Sequence, residues 1–363
     1  MSRFAKAILS TENLLHNLDI IKQKAPHCQI IAMIKANGYG HGLRSTAKRL
    51  QDHVYSLGVA SIDEALSLRN IGIRSRITLM EGAFEPEDLL IASCENFQVI
   101  FHDQTQIDWL SNQYIPKPLD IWLKIDTGMG RLGFKPEEAK QKYIELSKLS
   151  QVRQPINIMS HMACPDEPNH PLNLQQISDF KEFVKSHPLG KKSFASSAVI
   201  FNFPNELYDV VRPGISLYGL SPIANMSAKD LGLKPVMTLQ TNLITVKEMK
   251  KGDKIGYGAK FECQEDMKIG VIALGYGDGY PRTIRSGTPV LVNNIACSIA
   301  GIVSMDMMNI DLRNCPDAKA GDLVTLWGEG LPLEEVASYT NTIVHDIVSS
   351  IQHRVKFYWT NGN

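Results

Sequence analysis

The hydrophobic pattern of the first two thirds of the chain alternates between short apolar runs and longer amphipathic segments. Eight runs rich in β-branched residues predict strands at 30–36, 55–61, 76–80, 97–101, 120–126, 156–161, 192–197 and 210–219. Helix-like segments lie between them, among others at 61–72, 136–149 and 172–187. Strands that alternate with helices are typical of a parallel sheet. Eight such units favour an α/β fold of the (β/α)8 barrel type.

An open, doubly wound α/β sheet is the alternative to the barrel. Dinucleotide-binding sheets of that kind carry a Gly-x-Gly-x-x-Gly turn after the first strand. The first predicted strand is instead followed by Asn-Gly-Tyr-Gly-His-Gly at residues 37–42. The barrel is therefore the preferred prediction.

From about residue 232 the pattern changes to strand-like runs separated by Gly and Asn-Asn turn signals, with little helix. This texture predicts a mainly β C-terminal domain. The polar, turn-rich segment 221–232 is the expected junction. We therefore predict a barrel over 1–231 and a β domain over 232–363, which the first residues of the chain could join.

Composition narrows the classes of partner. The 363 residues contain 38 Lys and Arg against 38 Asp and Glu, so a net charge of zero gives no reason to expect a nucleic acid or a membrane surface as partner. The six cysteines show no CxxC spacing and no zinc-ligand pattern, so we predict no metal. The start of the sequence has no signal-like apolar core, and no apolar run is long enough to span a bilayer, so we expect a cytoplasmic protein.

Chemically capable side chains lie at the carboxyl ends of five predicted strands, where a barrel builds its active site. Each has an ordinary explanation by itself: a lysine reaches solvent, a histidine is satisfied in a core, an arginine pairs with a carboxylate, and serines cap helices. Their convergence on one face argues for a site. The residues are Lys35, Tyr39, Lys124, Asp126, Arg131, His161, Ser196, Ser197, Arg212 and Gly214.

The charges at these strand ends indicate the ligand. Lys35, Lys124, Arg131 and Arg212 favour an anion. The segments that follow the last two barrel strands offer backbone N–H groups, and barrels often bind phosphate there. A phosphate together with a lysine that can form an imine suggests pyridoxal 5′-phosphate, PLP.

The chain resembles the alanine racemase family over nearly its whole length. The resemblance rests on "IAMIKANGYGHG", "LKIDTGMGRLGF", "SHMACPDEP", "VVRPGISLYGL", "KIGYGAKF", "IALGYGDGYPR" and "GIVSMDMMNIDL", which follow one another in the family's order. It implies an N-terminal barrel, a C-terminal β domain and a homodimer. Each active site would be shared between the barrel of one subunit and the β domain of the other.

The resemblance also implies a role for each site residue. Lys35 would bind PLP covalently and act as one catalytic base, and Tyr257 of the partner subunit would be the other base. Arg212 would meet the pyridine nitrogen, with His161 against the ring. The phosphate would be held by Tyr39, Ser197, Gly214 and Ile215.

On the substrate side, the same resemblance would place Arg131 near the cofactor's phenolic oxygen and the substrate. Lys124, often carbamylated in this family, would position Arg131. The partner subunit would line the entrance with Tyr276, Met305 and Asp306, and the Met305 amide would lie near the substrate carboxylate.

Two positions depart from the family pattern. His345 stands where the family usually has a tyrosine that helps to bind phosphate, and Ser196-Ser197 replaces a common Asn-Ser pair. An imidazole still donates a hydrogen bond, but its reach and charge differ. We expect an altered grip on the cofactor and a retained activity.

The leading hypothesis is a PLP-dependent alanine racemase that interconverts L- and D-alanine by a two-base mechanism and supplies D-alanine for peptidoglycan. A broad-spectrum or serine racemase of the same fold is the alternative. A PLP-carrier protein is disfavoured, because carriers that resemble the barrel lack a β domain such as the one predicted after residue 232.

Overall fold

A computed structural model describes residues 4–185 and 190–360. The chain forms two compact units. The barrel unit consists of Leu18–Leu217 and Pro222–Met226, and the β unit consists of the residues through Asn17, Tyr218–Ser221 and the residues from Ser227 onward. The domain boundary predicted after residue 231 stays a prediction.

The first nine strands of the described chain include the eight predicted barrel strands. In chain order they are β1 (Lys6–Ser10), β2 (Gln29–Met33), β3 (Ser56–Val59), β4 (Ile77–Leu79), β5 (Gln98–Phe101), β6 (Ile121–Lys124), β7 (Asn157–Met159), β8 (Lys192–Ser193) and β9 (Val210–Val211). The barrel sheet has the order β8-β7-β6-β5-β4-β3-β2-β9 with parallel neighbours. A bridge between Ser196 and Arg212 joins the segments after β8 and β9. The predicted α/β barrel is confirmed.

Helices connect these strands, and local capping explains where several of them begin. The helices are α1 (Thr11–Lys24), α2 (Lys35–Tyr39), α3 (Leu43–Leu50), α4 (Ile62–Arg69), α5 (Pro86–Glu95), α6 (Gln104–Ser111), α7 (Pro136–Ser147), α8 (Pro171–Lys185) and α9 (Ser197–Asn202). Ser61, the N-cap of α4, accepts a hydrogen bond from the Glu64 amide, and the Glu64 side chain accepts one from the Ala60 amide just before the cap. Residues 186 and 187 of the helix predicted at 172–187 lie outside the described residues.

The barrel interior is filled by apolar side chains from its strands. Ile31, Met33, Ile100, Trp122 and Met159 form one buried cluster. All four residues of β3, β5 and β6 are buried, as expected for parallel strands covered on both faces. A packed interior leaves the strand ends as the places where polar side chains can gather.

Seven of the eight predicted barrel strands end earlier than the sequence pattern indicated, and two of these ends bear on the site. Strand β2 ends at Met33, so Lys35 lies in the turn that follows and not in the strand. Strand β9 ends at Val211, and a 3₁₀ helix covers Ile215–Tyr218. Pro213 has no N–H to continue a ladder, which explains the second early end.

The β unit is built from the N-terminal strand and the last third of the chain. Its further elements are β10 (Met237–Met249), β11 (Lys254–Ile255), β12 (Phe261–Glu262), β13 (Met267–Ile272), β14 (Pro289–Val292), β15 (Ile295–Ile299), β16 (Met308–Asp311), β17 (Leu323–Trp327), α10 (Leu333–Ala337), α11 (Val344–Ser349) and β18 (Lys356–Thr360). Strand β1 pairs antiparallel with β10 and parallel with β18. The main sheet has the order β13-β16-β15-β14-β17-β10-β1-β18. The predicted mainly β C-terminal part is confirmed.

In the described parts of the chain, none of the helices has the length and apolar character needed to cross a bilayer.

Candidate active site

The short segment α2, which begins at Lys35 after β2, has an unusual backbone conformation in the residues that follow the lysine. Ala36, Asn37 and Tyr39 have φ values of 51°, 55° and 51°, and Gly38 between them has 65°. The left-handed region costs roughly 1–2 kcal/mol per residue that carries a Cβ. The turn is held by hydrogen bonds from the Gly38 amide to the Ile34 carbonyl (2.8 Å) and from the Leu43 amide to the Asn37 side chain (3.0 Å). Strain of this kind clusters at functional sites.

Arg212 lies buried beyond the end of β9, with only 5 % of its surface exposed. Its guanidinium donates to the Ser193 hydroxyl (2.5 Å) and to the Ser160 carbonyl (2.6 Å), and it lies 3.5 Å from His161 Nδ1. These partners are uncharged. Burial lowers the pKa of Arg212 to about 10, so the group remains a cation near neutral pH.

Lys124, the last residue of β6, is also buried at this end of the barrel. Its burial, together with the charges of Arg212, Arg131 and Lys35, lowers its pKa to about 8. Burial and the same cationic surroundings lower the pKa of His161 to about 3. His161 is therefore a neutral imidazole near neutral pH, and the strand ends present a positive surface that favours an anion.

Ser197 and Gly214 join the ends of β8 and β9 in a small polar cradle. The Ser197 hydroxyl oxygen accepts from the Gly214 amide (2.8 Å) and from the Ser216 hydroxyl (3.0 Å). A Cβ at Gly214 would lie 2.4 Å from the Tyr39 hydroxyl oxygen, so only glycine lets that ring approach. Burial raises the pKa of Tyr39 to about 12, which keeps its phenol a proton donor. Ile215 follows as the buried first residue of the 3₁₀ helix.

Arg131 is exposed in the loop after β6. The carboxylate of Asp126 holds this loop by accepting from the amides of Gly128 and Gly130 (3.0 Å each) and from Lys135 Nζ (3.0 Å). Burial opposes ionisation of Asp126, but these donors together hold its pKa below the usual range. The loop keeps Arg131 close enough to affect the titration of Lys124 and His161.

Two further residues at this face were missed by sequence reasoning. Glu81 follows β4 after Met80, and its Oε1 lies 3.5 Å from Lys35 Nζ. His102 directly follows β5, and its Nε2 donates to the Glu81 carbonyl oxygen at 2.9 Å. Both residues stand at strand ends, so the rule that selected Lys124 and His161 could have found them.

Tyr257 lies in the β unit, in a short 3₁₀ turn between β11 and β12. It is flanked by Gly256 and Gly258, whose φ values are 69° and 67°. Its side chain is 67 % exposed, an unusual position for an aromatic ring.

Tyr276, Met305 and Asp306 lie on two turns of the β unit that are joined to each other. The Tyr276 amide donates to the Ser304 carbonyl (3.1 Å), and the Gly277 amide donates to the Met305 carbonyl (2.8 Å). Arg354 contacts both turns, with its Nε 3.3 Å from a carboxylate oxygen of the buried Asp278 and its Nη2 2.5 Å from Asp306. Met305 is nevertheless 53 % exposed, so its side chain stands at the surface of the β unit.

His345 lies on α11 of the β unit and is partly buried. Burial lowers the pKa of its imidazole, which favours the neutral form. Among the described residues of both units, no cluster of three or more His, Cys, Asp or Glu side chains could hold a metal ion.

The structure therefore gathers the barrel residues predicted from the sequence around the ends of its strands. The remaining predicted residues, Tyr257, Tyr276, Met305, Asp306 and His345, all belong to the β unit.

Comparison with known proteins decides the family. Residues 9–222 match the family model "Alanine racemase, N-terminal domain", and residues 236–359 match "Alanine racemase, C-terminal domain". The chain belongs to the alanine racemase family. The resemblance noted in the sequence is confirmed.

Curated relatives and solved structures agree with this assignment. The chain is 43 % identical over 352 residues to "Alanine racemase, biosynthetic" of Escherichia coli (strain K12), covering 97 % of this chain and 98 % of the relative. It is 45 % identical over 353 residues to the alanine racemase of Vibrio atlanticus (strain LGP32), covering 97 % and 98 %. The crystal structure of biosynthetic alanine racemase from Pseudomonas aeruginosa superposes with a TM-score of 0.96 at 38 % identity, over 99 % of this chain and all of that one.

Proposed function

We propose that this protein is a PLP-dependent racemase that interconverts L-alanine and D-alanine and supplies D-alanine for peptidoglycan. Membership of the alanine racemase family and the biosynthetic enzymes among its relatives support the proposal. One observation carries the proposal. The carboxyl ends of the barrel strands bring together the amine of Lys35, the buried Arg212 and the polar cradle of Ser197 and Gly214.

The residues present fit the cofactor. Lys35 supplies the primary amine that an imine with an aldehyde requires. The Ser197 hydroxyl, whose oxygen accepts from the Gly214 amide and the Ser216 hydroxyl, has its own O–H to offer to a phosphate, and the missing Cβ at Gly214 leaves room beside the Tyr39 hydroxyl. The surrounding cations offset the negative charge of a phosphate.

Racemisation removes the Cα proton from one face of alanine and returns a proton to the other. When bound, PLP delocalises the electron pair left at Cα. We assign the proton on one face to the amine of Lys35 and the proton on the opposite face to the phenol of Tyr257 of the partner subunit. Two groups on opposite faces explain how both enantiomers can serve as substrate.

Arg212 and His161 shape the electrostatics of this site. We assign Arg212 to the pyridine nitrogen of the cofactor. A permanent guanidinium charge disfavours protonation of that nitrogen by repulsion of like charges. His161 stays uncharged beside Arg212 and would lie against the ring of the bound cofactor.

Arg131 and the β-unit turns would hold the amino acid. Arg131 is assigned to the cofactor's phenolic oxygen and the substrate, with Lys124 positioning it, and the Met305 amide to the substrate carboxylate. Tyr276 and Asp306 would line the entrance, and His345 would approach the phosphate in place of the usual tyrosine.

We infer that the protein acts as a homodimer, and the exposure of two β-unit residues supports this inference. Tyr257 and Met305 are exposed on the β unit, so they could reach the barrel face of a second copy. Shared active sites of this kind would make each subunit dependent on the other.

A panel assay tests the proposed function. The protein purified with PLP is expected to show visible cofactor absorption and to racemise L-alanine faster than L-serine or other amino acids, as measured by formation of the D-enantiomer. Protein without bound cofactor is the control. Bound PLP with no racemisation of alanine, or faster turnover of serine, would contradict the proposal.

A further inference from the structure

Glu81 stands opposite the amine of Lys35 at the barrel face. Its Oε1 lies 3.5 Å from Lys35 Nζ, and the side chains are 39 % and 37 % exposed. An ion pair with that exposure is worth little to stability. Its location beside the proposed cofactor-binding amine suggests a role in the reaction.

The loop that carries Glu81 is built to hold one conformation. Gly82 has a φ of 78°, and a Cβ there would lie 2.3 Å from Gln106 Nε2 and 2.4 Å from the Ile100 carbonyl oxygen. Gln106 donates to the Ala83 carbonyl (3.1 Å), and His102 donates to the Glu81 carbonyl (2.9 Å). Side chains from the segment after β5 therefore fix the backbone on both sides of Gly82.

The charges that face this pair come from several elements. Lys124 on β6, Arg131 in the following loop and Arg212 after β9 are cations. Burial is the main cause that lowers the pKa of both neighbouring imidazoles, His102 and His161, which favours their neutral forms. The carboxylate of Glu81 opposes the effect of the cations on Lys124. Glu81 therefore supplies negative charge where the amine of Lys35 meets a positive surface.

We propose that Glu81 is a positioning residue that holds the nitrogen of Lys35 at the barrel face and offsets the positive charge that this nitrogen would carry with the cofactor bound. The inference rests on the proposed use of PLP at Lys35. A carboxylate close to a protonated nitrogen favours the charged state, so the state should persist to higher pH with Glu81 than without it.

The test is a pH titration of the visible absorption of the bound cofactor. Wild type, Glu81→Gln and the surface control Glu138→Gln are compared as cofactor-loaded proteins. Glutamine keeps the shape and removes the charge, so the spectral transition of Glu81→Gln should move to lower pH by roughly half a unit. Glu138→Gln, which removes an exposed charge from the first turn of α7, should titrate like wild type.

The outcomes separate this inference from the proposed function. Wild-type protein that neither absorbs in the visible nor racemises alanine overturns the function itself. A loaded and active wild type whose titration superimposes on that of Glu81→Gln overturns the role of Glu81, as does an equal shift in Glu138→Gln. If Glu81→Gln cannot be purified, Glu81→Asp is measured, and a smaller downward shift is expected; no shift then overturns the proposal.

Discussion

The proposed site residues at the carboxyl ends of the barrel strands, here called the barrel face, differ in burial from those on the turns of the β unit. Arg212 and Lys124 are 5 % and 9 % exposed and lie within a network of charges inside the barrel unit. Tyr257 and Met305 are 67 % and 53 % exposed at the surface of the β unit. The barrel side chains are held in place by contacts within their own unit. The β-unit side chains project into solvent from turns whose backbones are hydrogen-bonded.

Substitutions in the two regions should therefore have different effects. A change at the barrel face alters buried hydrogen bonds and charges, so cofactor binding and stability should both respond. A change at an exposed β-unit side chain removes little packing. Activity should therefore fall while the free energy of unfolding stays nearly unchanged.

Lys35→Ala should have the largest effect, because it removes both the imine-forming amine and one proposed base. Alanine racemisation is expected to fall by at least about a thousandfold. Racemisation and visible absorption are measured together, and Lys117→Ala is the exposed-lysine control. Racemisation at the wild-type rate would refute the assignment of Lys35.

Tyr257→Phe should lower the turnover number by about 10²–10⁴-fold, because it removes only the hydroxyl that exchanges the proton. Since the ring is exposed, the thermal unfolding midpoint and the visible absorption should stay unchanged. Tyr114→Phe, at a tyrosine that is 83 % exposed in the barrel unit, is the matched control. A loss of stability equal to the loss of activity would break the contrast between the two regions.

Gly214→Ala should weaken cofactor binding, because the new methyl group would lie 2.4 Å from the Tyr39 hydroxyl oxygen. Overpacking of this kind costs about 1–3 kcal/mol, so PLP affinity should fall by roughly tenfold or more. Titration with PLP measures it. Gly252→Ala, where a Cβ meets open space but the φ of 89° disfavours any side chain, controls for a general loss of stability away from the site. Equal PLP affinity in Gly214→Ala and wild type would contradict the cradle.

His161→Gln should make the protein less sensitive to acid. The imidazole has an ordinary pKa of 6.5 and a folded-state pKa of about 3, because of burial and nearby cations. Between these values the unfolded chain binds a proton that the folded chain does not, so stability falls as pH falls. The thermal unfolding midpoint of the variant should therefore fall less steeply than that of the wild type as the pH is lowered. His53→Gln, at an exposed histidine, is the control. Identical slopes in wild type and His161→Gln would argue against a buried neutral imidazole.

The sequence predicts the barrel well because its signals are local. Apolar runs such as 97–101 and 120–126 correspond to strands β5 and β6, which are buried throughout. The strand-end rule also located Lys124, His161 and Arg212 on one face. These predictions need only hydrophobic periodicity and the geometry of parallel strands.

Other features depend on tertiary structure that residue patterns do not reveal. Ala36 and Tyr39 adopt left-handed backbone conformations that their own preferences oppose, so the end of β2 was placed too late. Glu81 is recognised as a partner of Lys35 only when β2 and β4 are placed in the barrel. Strand β1 joins β10 through pairs such as Lys6 with Gln240, which are distant in the sequence.

The most direct test of the central claim is a heterodimer of Lys35→Ala and Tyr257→Phe subunits. The two chains are co-expressed with different affinity tags, and dimers that carry both tags are purified. If each site combines Lys35 of one subunit with Tyr257 of the other, one of the two sites is intact, and activity should recover to about half that of the wild type. A heterodimer as inactive as either single variant would contradict the shared site.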